Sequence, residues 1–183
     1  NKPSDKKQIL IGCHLGSSSV TNQQKNWFQR VIKKKYGSRV WAPHNYLLLL
    51  KKLSKANKNI RFVATGTEKE GALVKKFFRS QQHLVYNLCG KTSLPEMAAL
   101  MTKLDYFISG DTGPMHIAVA MQIPMLALFS QRTAEISQPY PPAKFRKTII
   151  KEKISQITVY EVYEVIMSDL FSLDSSSSLR KEE

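Results

Sequence analysis

Short apolar runs recur along the chain, and most of them end in a cluster of small or polar residues. Gln8–Cys13 (QILIGC) reads as a buried strand that runs into His14-Leu15-Gly16-Ser17-Ser18-Ser19. Ile60–Ala64 (IRFVA), His83–Leu88, Asp105–Ser109 (DYFIS) and Pro124–Phe129 (PMLALF) repeat the pattern, and Thr148–Ile150 is a candidate last strand. Between them lie segments with helical spacing. Asn26–Lys35 is basic and helix-compatible, and Asn45 can cap a helix whose apolar positions continue to Leu53. Glu68–Phe78 carries apolar residues on one face, and Ser93 with Glu96 three residues later has the spacing of a capping box for a helix to about Lys103. Met115–Met121 and Val159–Leu170 complete the set.

Short continuous strands alternating with helices predict an α/β fold, a Rossmann-like parallel sheet with helices on both faces. Ligands of such sheets bind beyond the carboxyl ends of the strands, where the small-residue loops of this chain fall. Residues 1–8 read as a linker, 9–171 as the domain, and 172–183 (SLDSSSSLRKEE) as a disordered polar tail. The first residue is not Met, from which the chain is expected to begin inside a longer protein.

Gly110-Asp111-Thr112-Gly113-Pro114-Met115-His116 is the strongest local signal. It follows a strand and opens a helix; Gly113 permits close approach of the backbone and Pro114 suits a first helical turn. Free N–H groups at such a start make an anion site, with His116 one turn in. A well-capped turn without ligand, with Asp111 or Thr112 as the cap, satisfies the same pattern. The hydroxyl-rich loop after the first strand suits phosphate or sugar oxygens in the same way. Gly90-Lys91-Thr92 has the end of a P-loop without its earlier glycine, since position 85 is Val, and an NTPase is rejected. No carboxylate pair, nucleophile elbow or Cys/His metal spacing is evident, and Cys13 and Cys89 read as small buried hydrophobes.

The 183 residues hold 28 Lys and Arg against 14 Asp and Glu, a net charge of +14. Such a balance favours anionic partners. Lys25–Arg39 holds six basic residues (Lys25, Arg30, Lys33, Lys34, Lys35, Arg39) and no acid, interleaved with Trp27, Phe28 and Tyr36; it reads as a solvated basic face or as a grip on an anionic membrane. No apolar run reaches the ~20 residues of a membrane span.

The stretch Leu88-Cys-Gly-Lys-Thr-Ser-Leu-Pro-Glu-Met-Ala-Ala-Leu, then Asp105 through Gly-Asp-Thr-Gly-Pro-Met-His to Ala120, then Pro124–Phe129, resembles the C-terminal half of family 9 glycosyltransferases, the lipopolysaccharide heptosyltransferases. The resemblance implies one lobe of a GT-B fold, binding a nucleotide-sugar such as ADP-heptose. Asp111 would contact sugar hydroxyls; Thr112, Gly113 and His116 would lie at the diphosphate; Thr92 at the nucleoside; Glu68, or in another register Glu70, at the ribose. Ser17 and Ser18 would touch phosphate, and Arg39 would neutralise the leaving diphosphate, with Lys25 and Trp27 as the alternative register. Inverting transfer without metal and without a resident cofactor is implied. So is a lipid-anchored saccharide acceptor at the cytoplasmic membrane face, with no specific nucleic acid. The catalytic base is expected in an N-terminal lobe that these residues lack, so the chain alone is expected to be inactive. Ser130 stands where the family has Gly. The competing reading is a non-catalytic nucleotide- or nucleic-acid-binding module, which the +14 charge also permits.

Overall fold

The computed structural model describes residues 7–16 and 40–178, with side chains described as far as Phe171. Six strands form one parallel sheet: β1 (Ile9–His14), β2 (Ile60–Thr65), β3 (Val85–Asn87), β4 (Tyr106–Ser109), β5 (Met125–Ser130) and β6 (Arg146–Lys151). Their order is β3-β2-β1-β4-β5-β6. The chain builds outward from β1 in one direction and from β4 in the other. The switch point therefore lies between β1 and β4, which pair in register from Ile11 with Tyr106 to Cys13 with Ile108.

The helices are α1 (Pro43–Ala56), α2 (Glu68–Phe77), α3 (Leu94–Met101), α4 (Gly113–Ala120), α5 (Gln131–Ser137) and α6 (Val159–Ser178). Two separate cores explain why the strands are apolar on both sides. On one face Ile11, Phe62 and Ile108 pack with Leu49, Leu50 and Leu53 of α1, Val74 of α2, and Val162 and Ile166 of α6. On the other, Val63, Phe107 and Phe129 pack with Met97 and Met101 of α3, Met115 and Val119 of α4, and Ala134 of α5. Cys13 and Cys89 are buried free thiols, as the sequence reading expects. Burial, above all, pushes the Cys89 thiol up to about 12.

Several boundaries differ from the sequence reading. Helix α1 begins at Pro43 with Ala42 as its cap residue, so Asn45 sits inside the first turn and does not cap it. Proline's fixed φ makes the earlier start favourable. The segment before β3 is a 3₁₀ turn, Arg79–Leu84, which takes the first two residues of the expected third strand. Strand β6 is six residues long, twice the Thr148–Ile150 core visible in the pattern. The short, polar α5 has no apolar stripe to announce it. Helix α6 continues to Ser178, past position 172 where the sequence reading starts a tail.

Candidate functional site

The carboxyl ends of β3, β2, β1 and β4 lie side by side at one edge of the sheet, in that order. Parallel neighbours are ~4.8 Å apart, so the four ends span about 14 Å. The loops after β3, β1 and β4 are named in the sequence reading, and the turn after β2 leads into Glu68.

At β4, Ser109, Asp111 and Thr112 are buried, at most 8% exposed. Thr112 is the cap residue of α4 by position, with extended backbone, yet its side chain makes no cap hydrogen bond. Its hydroxyl instead meets Ser109 Oγ at 2.7 Å. Asp111 is no cap either, being one residue too early. The start of α4 thus differs from the capped turn that the sequence also allows. Among the described residues, the one N–H of the helix start seen to be engaged is that of Met115, which donates to Thr112 O at 3.2 Å. Gly113 and His116 are exposed. Among the described residues a Cβ added to Gly113 would meet nothing within 4 Å, so the space beside this glycine is open. Positive backbone dipole, uncapped amides and open space coincide at the switch point, which is what an anion site needs.

At β2, the helix start is closed. Thr67 N–H donates to Glu70 Oε2 at 2.6 Å, and Glu70 N–H donates to Thr67 Oγ1 at 3.4 Å, a complete capping box. Glu70 is 3% exposed, whereas Glu68 is exposed. Of the two acids in that register, Glu70 is committed to holding the turn and Glu68 faces solvent. A side chain at Gly16 would coincide with Glu70 Oε1, so the loop leaving β1 lies directly on this carboxylate. Between them His14 Nδ1 lies 3.2 Å from Thr65 Oγ1, which donates to Cys13 O at 3.3 Å. Burial lowers the His14 pKa, an effect that Glu70 and Thr65 oppose.

At β3, Gly90 turns the chain with φ of +72°, a left-handed conformation that favours glycine. Its N–H donates to Gly66 O at 2.7 Å, tying the β3 and β2 loops together. Thr92 follows, half-buried, and Ser93 and Glu96 form the predicted capping box of α3, with Ser93 N–H donating to Glu96 Oε2 at 2.8 Å.

The structure therefore brings Asp111, Thr112, Gly113, His116, Glu68 and Thr92 to the same edge. Ser17, Ser18 and Arg39, with the basic stretch 25–39 and the predicted helix 26–35, lie outside the described residues. Just before α1, Trp41 Nε1 donates to Ile157 O at 2.9 Å and its ring meets Tyr46 edge-on at 4.9 Å. Tyr46 in turn donates to His14 O at 3.3 Å. The sequence reading passes over this pair, together with Glu70 as a loop support and Ser109 as the partner of Thr112. Among the described residues no group of three or more His, Cys, Asp or Glu is placed to hold a metal ion.

Comparison with known proteins gives one family. Glycosyltransferase family 9 (heptosyltransferase) matches residues 23–159. The lipopolysaccharide core heptosyltransferase OpsX of Haemophilus influenzae is 28% identical over 100 residues, 55% of this chain and 29% of that protein. A lipooligosaccharide heptosyltransferase 2 of Campylobacter jejuni is 32% identical over 73 residues, 40% of this chain and 20% of its own length. Among solved structures, an ADP-heptose lipopolysaccharide heptosyltransferase II of Escherichia coli superposes with a TM-score of 0.73 at 20% identity, over 92% of this chain and 48% of that one. The E. coli heptosyltransferase WaaC, solved with ADP, gives 0.66 at 18% identity, over 91% and 46%. The chain spans about half the length of the solved structures it matches.

Proposed function

Because the chain belongs to glycosyltransferase family 9, the heptosyltransferase family, we propose that it is the donor-binding lobe of an enzyme that transfers heptose, or a related sugar, from an ADP-linked donor to a lipid-anchored lipopolysaccharide core. One observation carries the reading: the order of the candidate residues across the sheet edge is the order of the parts of a nucleotide-sugar. Thr92 follows β3 and takes the nucleoside. Glu68 follows β2 and takes the ribose. The N–H groups of Gly113 and His116, with the His116 imidazole, follow β4 and take the diphosphate, and Asp111 beside them takes the sugar hydroxyls. Ser17, Ser18 and Arg39, which the resemblance gives to the phosphates, lie outside the described residues. Support comes also from two neighbours in fold, one an ADP-heptose lipopolysaccharide heptosyltransferase and one solved with ADP.

Chemically, inverting transfer needs attack by an acceptor hydroxyl at the anomeric carbon, removal of that hydroxyl's proton, and departure of the nucleoside diphosphate. The α4 amides supply the last requirement: fixed dipoles aimed at developing charge need no reorganisation at the moment of reaction. This arrangement asks for neither a metal nor a resident cofactor. The base and acceptor groove are assigned to an N-terminal lobe, so the 183 residues alone bind donor and do not turn it over. With a lipid-borne acceptor the enzyme works at the cytoplasmic face of a membrane; no described helix is long and apolar enough to cross one.

Titration calorimetry tests the reading. ADP binds the two-lobed protein, and Asp111→Ala or His116→Ala weakens binding of the ADP-sugar by about tenfold or more, the loss of one or two charge-assisted contacts. Absence of any heat with ADP in the two-lobed protein overturns it.

A further inference from the structure

From Lys6 to Thr67 the chain contains no Asp or Glu, while it holds thirteen Lys and Arg: Lys6, Lys7, Lys25, Arg30, Lys33, Lys34, Lys35, Arg39, Lys51, Lys52, Lys55, Lys58 and Arg61. The described part of that block is dominated by α1. At 100° per residue, His44, Leu48, Lys51 and Lys55 fall on one line along the helix. It is the line opposite Tyr46, Leu49, Leu50 and Leu53, which are the core side. All four outer residues are exposed, and so is Lys58, two residues past the helix end. Among the described residues Lys51, Lys55 and Lys58 enter no ion pair. Lys52, at the flank, lies 4.4 Å from the centre of the Tyr163 ring and 5.2 Å from that of Tyr160, joining the row to α6. Leu48 is 39% exposed and Tyr160 61%, so apolar groups stand among the cations.

We infer that the outer face of α1 is a docking surface for an anionic lipid bilayer. The helix does not insert, because its apolar side is already spent on the core. It lies along the headgroups, with lysine stems flat and ammonium groups in the phosphate layer, and with Leu48 and Tyr160 as shallow apolar contacts. Charge complementarity selects the partner. The row carries point charges without the arginine forks that read nucleic-acid phosphates and bases, and its interleaved Leu and Tyr suit an interface with an apolar interior. The inference rests on the proposed function only for the reason such a chain meets a bilayer, a lipid-borne acceptor. It moves the membrane contact that the sequence reading gave to residues 25–39 onto a helix whose faces are defined.

The experiment is sedimentation of the 183-residue chain with phosphatidylcholine vesicles, with and without about one third phosphatidylglycerol. Three proteins are compared: the parent, the triple variant Lys51→Gln, Lys55→Gln, Lys58→Gln, and a control that loses the same charge elsewhere through Lys69→Gln, Lys103→Gln, Lys144→Gln. The expected result is binding to the anionic vesicles only, a partition coefficient lowered roughly tenfold to hundredfold in the α1 variant, and less than about threefold in the control. Equal losses in the two triple variants overturn the inference, as does absence of vesicle binding by the parent. Binding of polyuridylate that depends on α1 while vesicles are ignored overturns it too, in favour of a nucleic-acid surface. ADP calorimetry on the same variants separates this outcome from the donor reading: membrane binding is lost with ADP affinity unchanged.

Discussion

Gly113 illustrates how a single residue can separate folding from function. Its backbone belongs to an ordinary helix and nothing lies within 4 Å of the place a Cβ would occupy, so packing makes no demand for glycine there. Gly113→Ala is expected to leave thermal stability unchanged or raise it slightly, through the reduced freedom of the unfolded chain. If a diphosphate sits on the α4 amides, the added methyl enters its space, and ADP affinity falls by about tenfold or more, equivalent to roughly 1.4 kcal/mol. Scanning fluorimetry and calorimetry on one preparation check both halves. His14 behaves in the opposite way, as a residue of the scaffold. Burial lowers its folded pKa from 6.5, so below that value the unfolded chain takes up a proton that the native state resists. Stability is therefore complete above about pH 6.5 and declines as pH falls through the window beneath it. Urea melts at successive pH values should show that decline, and His14→Gln should flatten it.

Three helix starts meet at the same sheet edge, and their caps divide the labour. The α2 and α3 starts are closed by Thr67 with Glu70 and by Ser93 with Glu96; the α4 start is left without a side-chain cap because Thr112 turns to Ser109. A closed cap stabilises the scaffold, whereas an open one leaves amides free to meet an anion. Ser93→Ala should accordingly cost about 1 kcal/mol in denaturant unfolding, as loss of an N-cap hydroxyl does. The two box pairs also show what a sequence can and cannot display. Ser93 and Glu96 stand next to a proline and an apolar run, so their spacing reads directly as a helix start. Thr67 and Glu70 have the same spacing, but Glu68 and Glu70 are both plausible as ligand-facing acids until the fold buries one and exposes the other. Similarly, nothing in Asp111-Thr112 tells whether either residue caps; the answer depends on Ser109, which lies in the strand.

At the scale of the whole molecule, the alternation of apolar runs with helical segments is enough for a parallel doubly covered sheet, and the strand-end loops are enough to single out the sheet edge at which the described candidate residues gather. Strand order was not legible, because β1 and β4 become neighbours only through a crossover that no local pattern encodes; that pairing is what brings the β1 loop to the Asp111 loop. Also hidden were contacts that tie the edge to the far end of the chain. Trp41, just before α1, donates to Ile157, 116 residues away, just before α6. Tyr46 continues the link to His14 at the end of β1. Helix α6 buries Val162 and Ile166 completely beside α1, so the closing helix and α1 stabilise each other. Trp41→Phe keeps most of the ring and removes the one donor, leaving the Ile157 carbonyl buried without it. A loss of about 1–3 kcal/mol is expected from that orphaned acceptor. If the link also fixes the loop against the edge, ADP affinity falls with stability, whereas Ile166→Ala, which only hollows the core and costs about 2–5 kcal/mol, leaves affinity nearly intact at temperatures where the protein stays folded. Calorimetry of the two variants well below their melting temperatures decides: equal ADP affinities would show that Trp41 serves the core alone.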